Sequence, residues 1–172
     1  VDFYAFSLYK TYGPHIGLLY GKKDLLVQAK SRHHYFIPET ATSYKMNPAG
    51  PQHEIISSLT GITDYIRAVA AEHLDDMPND LFARTRAVYD LFSAHEADLA
   101  KVFIDWVSSK EGVQLIGRQT ADVDERAPTF SFVAENKSSE EIAEAASNHK
   151  VAIRHGDFYA KRLIEALGID GD

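Results

Sequence analysis

Lys10 is the residue around which this sequence gathers its most reactive groups. Ser7, Tyr9 and Tyr12 flank it, and Gly13-Pro14 punctuates the chain directly afterwards. A lysine held among aromatic rings loses hydration, and that disfavours its charged form. A neutral amine is what Schiff-base chemistry with a carbonyl compound requires. A lysine in a hairpin loop is ordinarily a solvated cation, so the residue types by themselves leave both readings open. The other reactive patterns are poorer. His53-Glu54 lacks the second histidine of the zinc helix signature, and eight histidines scattered over 172 residues, His15, His33 and His34 among them, give no ligand spacing. No metal is expected. Gly13-x-x-x-Gly17 lacks the third glycine and the following helix of a dinucleotide loop.

The elements that must position Lys10 are readable on either side of it. Val1 to Ser7 is rich in aromatics and free of breakers, and Ile16 to Tyr20 is a second apolar run, so a strand–loop–strand unit is expected over about residues 1–21. The chain opens at Val1, inside the first strand and without Met or a signal-peptide pattern, which suggests a piece of a longer protein. Residues 31–51 hold four prolines and glycines among many polar groups and read as irregular. Ile55, Leu59, Ile62, Ile66 and Val69 recur at steps of four and three, the stripe of a helix over residues 52–74. Asp75-Asp76-Met77-Pro78 breaks it and marks the expected domain boundary.

Asn79 reads as the N-cap of the next helix. Phe82, Val88, Phe92, Leu99, Val102 and Trp106 keep helical spacing toward Lys110, and Phe82, Phe92, Phe103 and Trp106 read as core. Such a helix would run roughly 45 Å, enough to bridge two domains. Beyond it, residues 113–116, 129–133 and 151–154 read as strands. Ser138 with Glu141 forms a capping box for a helix to about Asn148, and Asp157 is the expected cap of a last helix ending at Gly168. Alternation of strands and helices predicts an α/β or α+β sandwich with helices over a sheet. The acidic pairs Asp75-Asp76 and Glu140-Glu141 are read as solvated helix ends.

Composition bounds the function. The chain is 45% hydrophobic and 25% charged, ordinary for a globular protein. Eighteen Lys+Arg against 25 Asp+Glu give a net charge of −7, with no basic run, which argues against nucleic acid as a partner. No apolar stretch reaches the roughly 18 residues that span a bilayer. There is no cysteine, so disulfides, thiolate metal sites and a cysteine nucleophile are excluded within these residues.

The run Phe3-Tyr4-Ala5-Phe6-Ser7-Leu8-Tyr9-Lys10-Thr11-Tyr12-Gly13-Pro14-His15-Ile16-Gly17-Leu18-Leu19-Tyr20-Gly21 resembles the cofactor-lysine segment of the class V aminotransferase family. That is the cysteine desulfurase-like branch of the fold type I pyridoxal phosphate enzymes, in which Ser-x-x-Lys-x-x-Gly-Pro-x-x-Gly precedes a strand. The likeness continues through Gly61, through Arg126-Ala127-Pro128-Thr129-Phe130-Ser131-Phe132, and through Val151-Ala152-Ile153-Arg154-His155-Gly156-Asp157-Phe158-Tyr159-Ala160.

The resemblance implies a cofactor, pyridoxal 5'-phosphate, bound covalently by Lys10, with the Ser7 hydroxyl on its phosphate. Tyr9 stands where relatives often place a phosphate-binding histidine, and a phenol can still donate one hydrogen bond. Arg154 matches the arginine that takes the substrate α-carboxylate, a task suited to the paired donors of a guanidinium. Relatives carry a Gly-Thr pair before the helix at 52–74, its threonine reaching the partner subunit's cofactor phosphate. Here the stretch is Ala49-Gly50-Pro51-Gln52-His53, which leaves Gln52, His53 and a helix N-terminus for a phosphate. Cysteine desulfurases place their sulfur-accepting cysteine five residues after the arginine, where this chain has Tyr159, and a phenol cannot form a persulfide.

The family's ring-binding aspartate and stacking residue would precede residue 1, since Asp2 is too close to Lys10 to serve. The fold implied is the tail of a large cofactor domain over 1–76, followed by a small C-terminal α/β domain over 77–172. The function implied is a pyridoxal phosphate-dependent transferase or lyase acting on amino acids, cytoplasmic and homodimeric at full length, and inactive as this piece alone. The other reading is a non-catalytic relative or assembly module that keeps the fold without the cofactor.

Overall fold

Strands β1 (Phe3–Ser7) and β2 (Gly17–Gly21) pair antiparallel, with Phe3 opposite Gly21 and Ser7 opposite Gly17. The computed structural model that shows this describes residues 1–47 and 50–169. The fold is α+β, in two compact units, Val1–Val88 and Tyr89–Asp172.

In the first unit the connection between β1 and β2 is built rather than loose. A 3₁₀ turn over Leu8–Thr11 buries Leu8, and Tyr12 ends it in the left-handed region at φ +66°. The Leu8 amide donates to the Ile16 carbonyl and Gly13 donates to the Leu8 carbonyl, both at 2.9 Å, which closes the hairpin around the turn. Helix α1 (Lys23–Gln28) follows β2. Helices α2 (His53–Ser58) and α3 (Thr60–His73) replace the single helix expected over 52–74. The break has a local cause. The Ser57, Ser58 and Thr60 hydroxyls each donate to a carbonyl three residues back, at 2.9, 2.7 and 3.1 Å, and such bonds compete with the helical ladder. The expected stripe survives the break: Ile66 is buried, and Ile55, Leu59, Ile62 and Val69 are half-buried.

Lys45 is the buried cation of this unit. Its side chain is 2% exposed, and Nζ donates to the Val27 and Ala29 carbonyls at 2.7 Å each, with a Glu39 carboxylate oxygen at 3.9 Å. Those carbonyls belong to the C-terminal end of α1, where a helix lacks amide partners and carries partial negative charge. Lys45→Met should therefore leave two acceptors unmet and cost about 1–3 kcal/mol. A urea melt would read this as a lowered midpoint with an unchanged slope.

Helix α4 (Leu81–Ser108) has 28 residues. Its N-terminal donor is satisfied by Asp80, whose carboxylate accepts from the Ala83 amide at 2.9 Å, and not by Asn79 as the sequence suggested. The buried positions of α4 are Val88, Ala100, Ile104 and Val107, with Phe92 and Phe103 half-buried. Phe82 and Trp106 are exposed, at 76% and 53%, which corrects the expectation that both are core.

In the second unit, Ile104 and Val107 of α4 pack with Leu115, Phe103, Val113, Ala121, Phe130 and Phe132. Strands β3 (Val113–Ile116) and β4 (Ser131–Ala134) supply Val113, Leu115 and Phe132 to that cluster and pair antiparallel, Leu115 opposite Phe132. β4 thus begins two residues after the expected strand at 129. Between the strands, Arg126 ties the loop together. Its guanidinium donates to the carbonyls of Ile116, Arg118 and Thr129 and lies 4.7 Å from the Phe130 ring centre.

Helix α5 (Ser139–Asn148) starts in the expected capping box, Ser138 and Glu141 each bonding the other's amide. It ends at Asn148, where the sequence placed the end, in a closure that the sequence did not signal. Lys150 sits in the left-handed region at φ +61°, and the Val151 amide donates to the Ala146 carbonyl at 3.0 Å, the 6→1 bond of a Schellman closure. The chain leaves that closure without entering a sheet, so Val151–Arg154 is not a strand. Asp157 likewise does not cap the last helix, α6 (Lys161–Ala166). Its carboxylate bonds the Tyr159 amide at 2.9 Å, and Ala160 holds the cap position. Gly168, at φ +68°, stands past the end of α6, where the sequence placed the stop.

Candidate active site

Lys10 is the third residue of the 3₁₀ turn that joins β1 to β2. The turn is held from beneath by buried Leu8 and from the side by α3. A Cβ built on Gly13 would lie 2.7 Å from Ile62 Cδ1, and the Tyr12 ring centre is 4.7 Å from that of Tyr65. The chain's one candidate nucleophilic amine thus sits on an anchored tip.

The side chain of Lys10 is exposed, so within this chain the aromatic neighbours do not desolvate it as the sequence suggested. Its Nζ lies 5.6 Å from the Tyr9 ring centre, within cation–π range. Among the described residues no hydrogen bond or ion pair engages that nitrogen. Tyr9 is stacked on His15, with ring centres 4.8 Å apart and planes 19° from parallel. Ser7 is half-buried at the head of the turn, and its hydroxyl makes no hydrogen bond among the described residues.

The remaining expected site residues are distributed differently. Gln52 stands at the N-cap of α2 and His53 opens it. Both are exposed, and neither shares a hydrogen bond, ion pair or ring contact with Ser7, Tyr9 or Lys10. Ala49, in the stretch preceding them, lies outside the described residues. Asp2 forms an exposed ion pair with Lys22 at 2.8 Å, in keeping with a strand-end charge.

Arg154 belongs to the second unit, where it is exposed with its guanidinium 5.8 Å from the Phe158 ring centre. The loop it opens is strained. Phe158 and Tyr159 are consecutive non-glycine residues at φ +49° and +67°, and Tyr159 is fully exposed. Left-handed backbone at such residues costs on the order of 1–2 kcal/mol each. Among the described residues no three His, Asp or Glu side chains converge on a possible metal position, and no helix is long and apolar enough to cross a membrane.

The donor set at the turn suits an aldehyde that carries a phosphate. It offers a primary amine with no carboxylate paired to it, a hydroxyl with an unused donor and a phenol. Sequence reasoning weighed His15 only as a metal ligand and not as a stacking neighbour of Tyr9. The signal of His15 was only its place directly after Gly13-Pro14, which turns it back over the residue preceding the lysine.

No family model matches the chain. Individual proteins do match. The chain is 34% identical to the aminotransferase-like protein FGM3 of Gibberella zeae, over 99% of this chain and 39% of that protein. It is 28% identical to a probable cysteine desulfurase of Pseudomonas putida, over 99% of this chain and 39% of that one. It is 26% identical to the cysteine desulfurase-like protein ustD of Aspergillus flavus, over 83% of this chain and 29% of its relative. The chain therefore spans about two fifths or less of the length of these curated relatives.

Proposed function

We propose, on its likeness to aminotransferase-like and cysteine desulfurase-like proteins, that this chain is part of a class V aminotransferase, cysteine desulfurase-like protein and carries the cofactor lysine of a pyridoxal phosphate-dependent enzyme acting on amino acids. The observation that carries the reading is the free amine of Lys10, presented on an anchored turn three residues after an unengaged hydroxyl at Ser7. Pyridoxal 5'-phosphate, when bound, supplies an electron sink for the carbon attached to the substrate amine.

The protein's part is to bind, orient and move protons. Lys10 would hold the cofactor through Nζ, and the same nitrogen would serve as general base for the proton on the substrate α-carbon. Ser7 and Tyr9 offer hydroxyl donors to the phosphate, with Gln52 and His53 as further candidates. Arg154 takes the α-carboxylate through its paired N–H donors. With Tyr159 five residues after that arginine, this chain has no thiol there to accept sulfur. Residues 1–76 are the end of the cofactor domain in this reading, and 77–172 form a smaller domain. The full-length protein works as a cytoplasmic homodimer, and the 172-residue chain alone takes up cofactor poorly.

Borohydride treatment of the full-length protein tests this. Reduction should fix a pyridoxyl group on one lysine, and peptide mass spectrometry should find it on Lys10. A label on another lysine, or a colourless protein that takes up no pyridoxal phosphate, would overturn the reading.

A further inference from the structure

We propose that His15 is a positioning residue for Lys10, acting through the ring of Tyr9. The inference rests on the reading of Lys10 just given and deepens it. A lysine side chain in open solvent samples many rotamers, and holding its amine in one place costs that freedom. Lys10 is exposed and has no ion pair or hydrogen bond among the described residues to hold it. Its Nζ lies over the Tyr9 ring, 5.6 Å from the ring centre.

Tyr9 is itself nearly half exposed, so alone its ring would also turn freely. The imidazole of His15 prevents this by stacking on it at 4.8 Å and 19°. An arrangement with centres 4.5–7 Å apart is the favoured range for such ring pairs. His15, in turn, stands on fixed backbone. Pro14 before it has a locked φ, and Gly13 is lodged against Ile62. The Ile16 amide bonds the Pro14 carbonyl at 2.8 Å, while the Ile16 carbonyl takes the Leu8 amide at 2.9 Å. Order passes from the buried anchor Leu8 to the backbone of residue 15, from there to the imidazole, to the phenol ring, and finally to the amine.

The test uses the cofactor-free full-length protein. Reductive methylation with labelled formaldehyde places methyl groups on each lysine nitrogen and keeps its charge. The Lys10 signal, identified by its loss in Lys10→Arg, should be displaced by the ring current of Tyr9. Tyr9→Leu should return it to the position of an unperturbed lysine. His15→Ala should return it most of the way there, and His15→Phe, which restores a flat stacking partner, should bring the displacement back.

In the unmethylated protein, the yield of borohydride-trapped pyridoxal phosphate on Lys10, measured against Lys22 and Lys23 in the same chain, should fall about two- to fivefold in His15→Ala and recover in His15→Phe. A Lys10 signal and trapping yield unchanged in His15→Ala would overturn the proposal, as would failure of His15→Phe to restore either in a protein whose circular dichroism is native. Loss of the ring-current shift in His15→Ala in a protein that never traps cofactor on Lys10 would uphold the positioning and overturn the function proposed above.

Discussion

Lys10→Arg in the full-length protein should leave the fold intact and reduce turnover by about 10²–10⁴-fold or more. The substitution separates charge from chemistry. Arginine keeps the cation beside the Tyr9 ring, and guanidinium groups stack on aromatic faces at least as well as ammonium does. The side chain is exposed and makes no hydrogen bond that the change would strand, so stability should stay within about 0.5 kcal/mol. Yet a guanidinium keeps its proton at every pH a protein tolerates. It can neither hold the aldehyde covalently as a primary amine does nor accept a proton from carbon. A steady-state assay paired with a thermal melt reads the two effects separately. Turnover within tenfold of the parent would mean that another group does the proton transfer, and the role assigned to Lys10 would fall with it.

Local signals in the sequence were reliable where the structure needed only local physics. The period of Ile55, Leu59, Ile62, Ile66 and Val69 marked a buried face correctly, even though side-chain hydroxyls break the helix beneath it. Ser138 and Glu141 closed the expected box because a capping box needs nothing beyond its own turn. Readings failed where the outcome depends on a partner distant in sequence. Val151–Arg154 has the composition of a strand, but a strand exists only in a ladder, and the closure at Lys150 sends these residues past the sheet. Phe82 and Trp106 share helical spacing with buried neighbours, and spacing alone does not say how wide the covered face is.

Lys45 had no sequence signal at all, because its carbonyl acceptors come from backbone whose identity the side chains do not encode. The candidate site divides along the same line. The position of Lys10 between two strands was legible, whereas its exposure and the stacking of His15 on Tyr9 depend on how the turn folds.

The turn itself depends on one missing methyl group. Gly13→Ala should destabilise the chain by about 1–3 kcal/mol, since the new Cβ would stand 2.7 Å from Ile62 Cδ1 and 2.9 Å from the Leu8 carbonyl oxygen. The first neighbour is the end of a flexible side chain and can move. The second is backbone, fixed by its bond with the Gly13 amide, and cannot move without opening the hairpin. In a chain of this size each kcal/mol lowers the melting temperature by about 2–4 °C.

The two contacts can be told apart. Ile62→Ala removes the side-chain clash and leaves the carbonyl in place, so the double variant should recover only part of the loss beyond the sum of the single changes. Full recovery would show that Ile62 alone forbids a side chain at position 13. No recovery would show that the hairpin carbonyl does, and that α3 merely rests against the turn. Partial recovery would mean that hairpin and helix both constrain residue 13, and with it the backbone on which Lys10 stands.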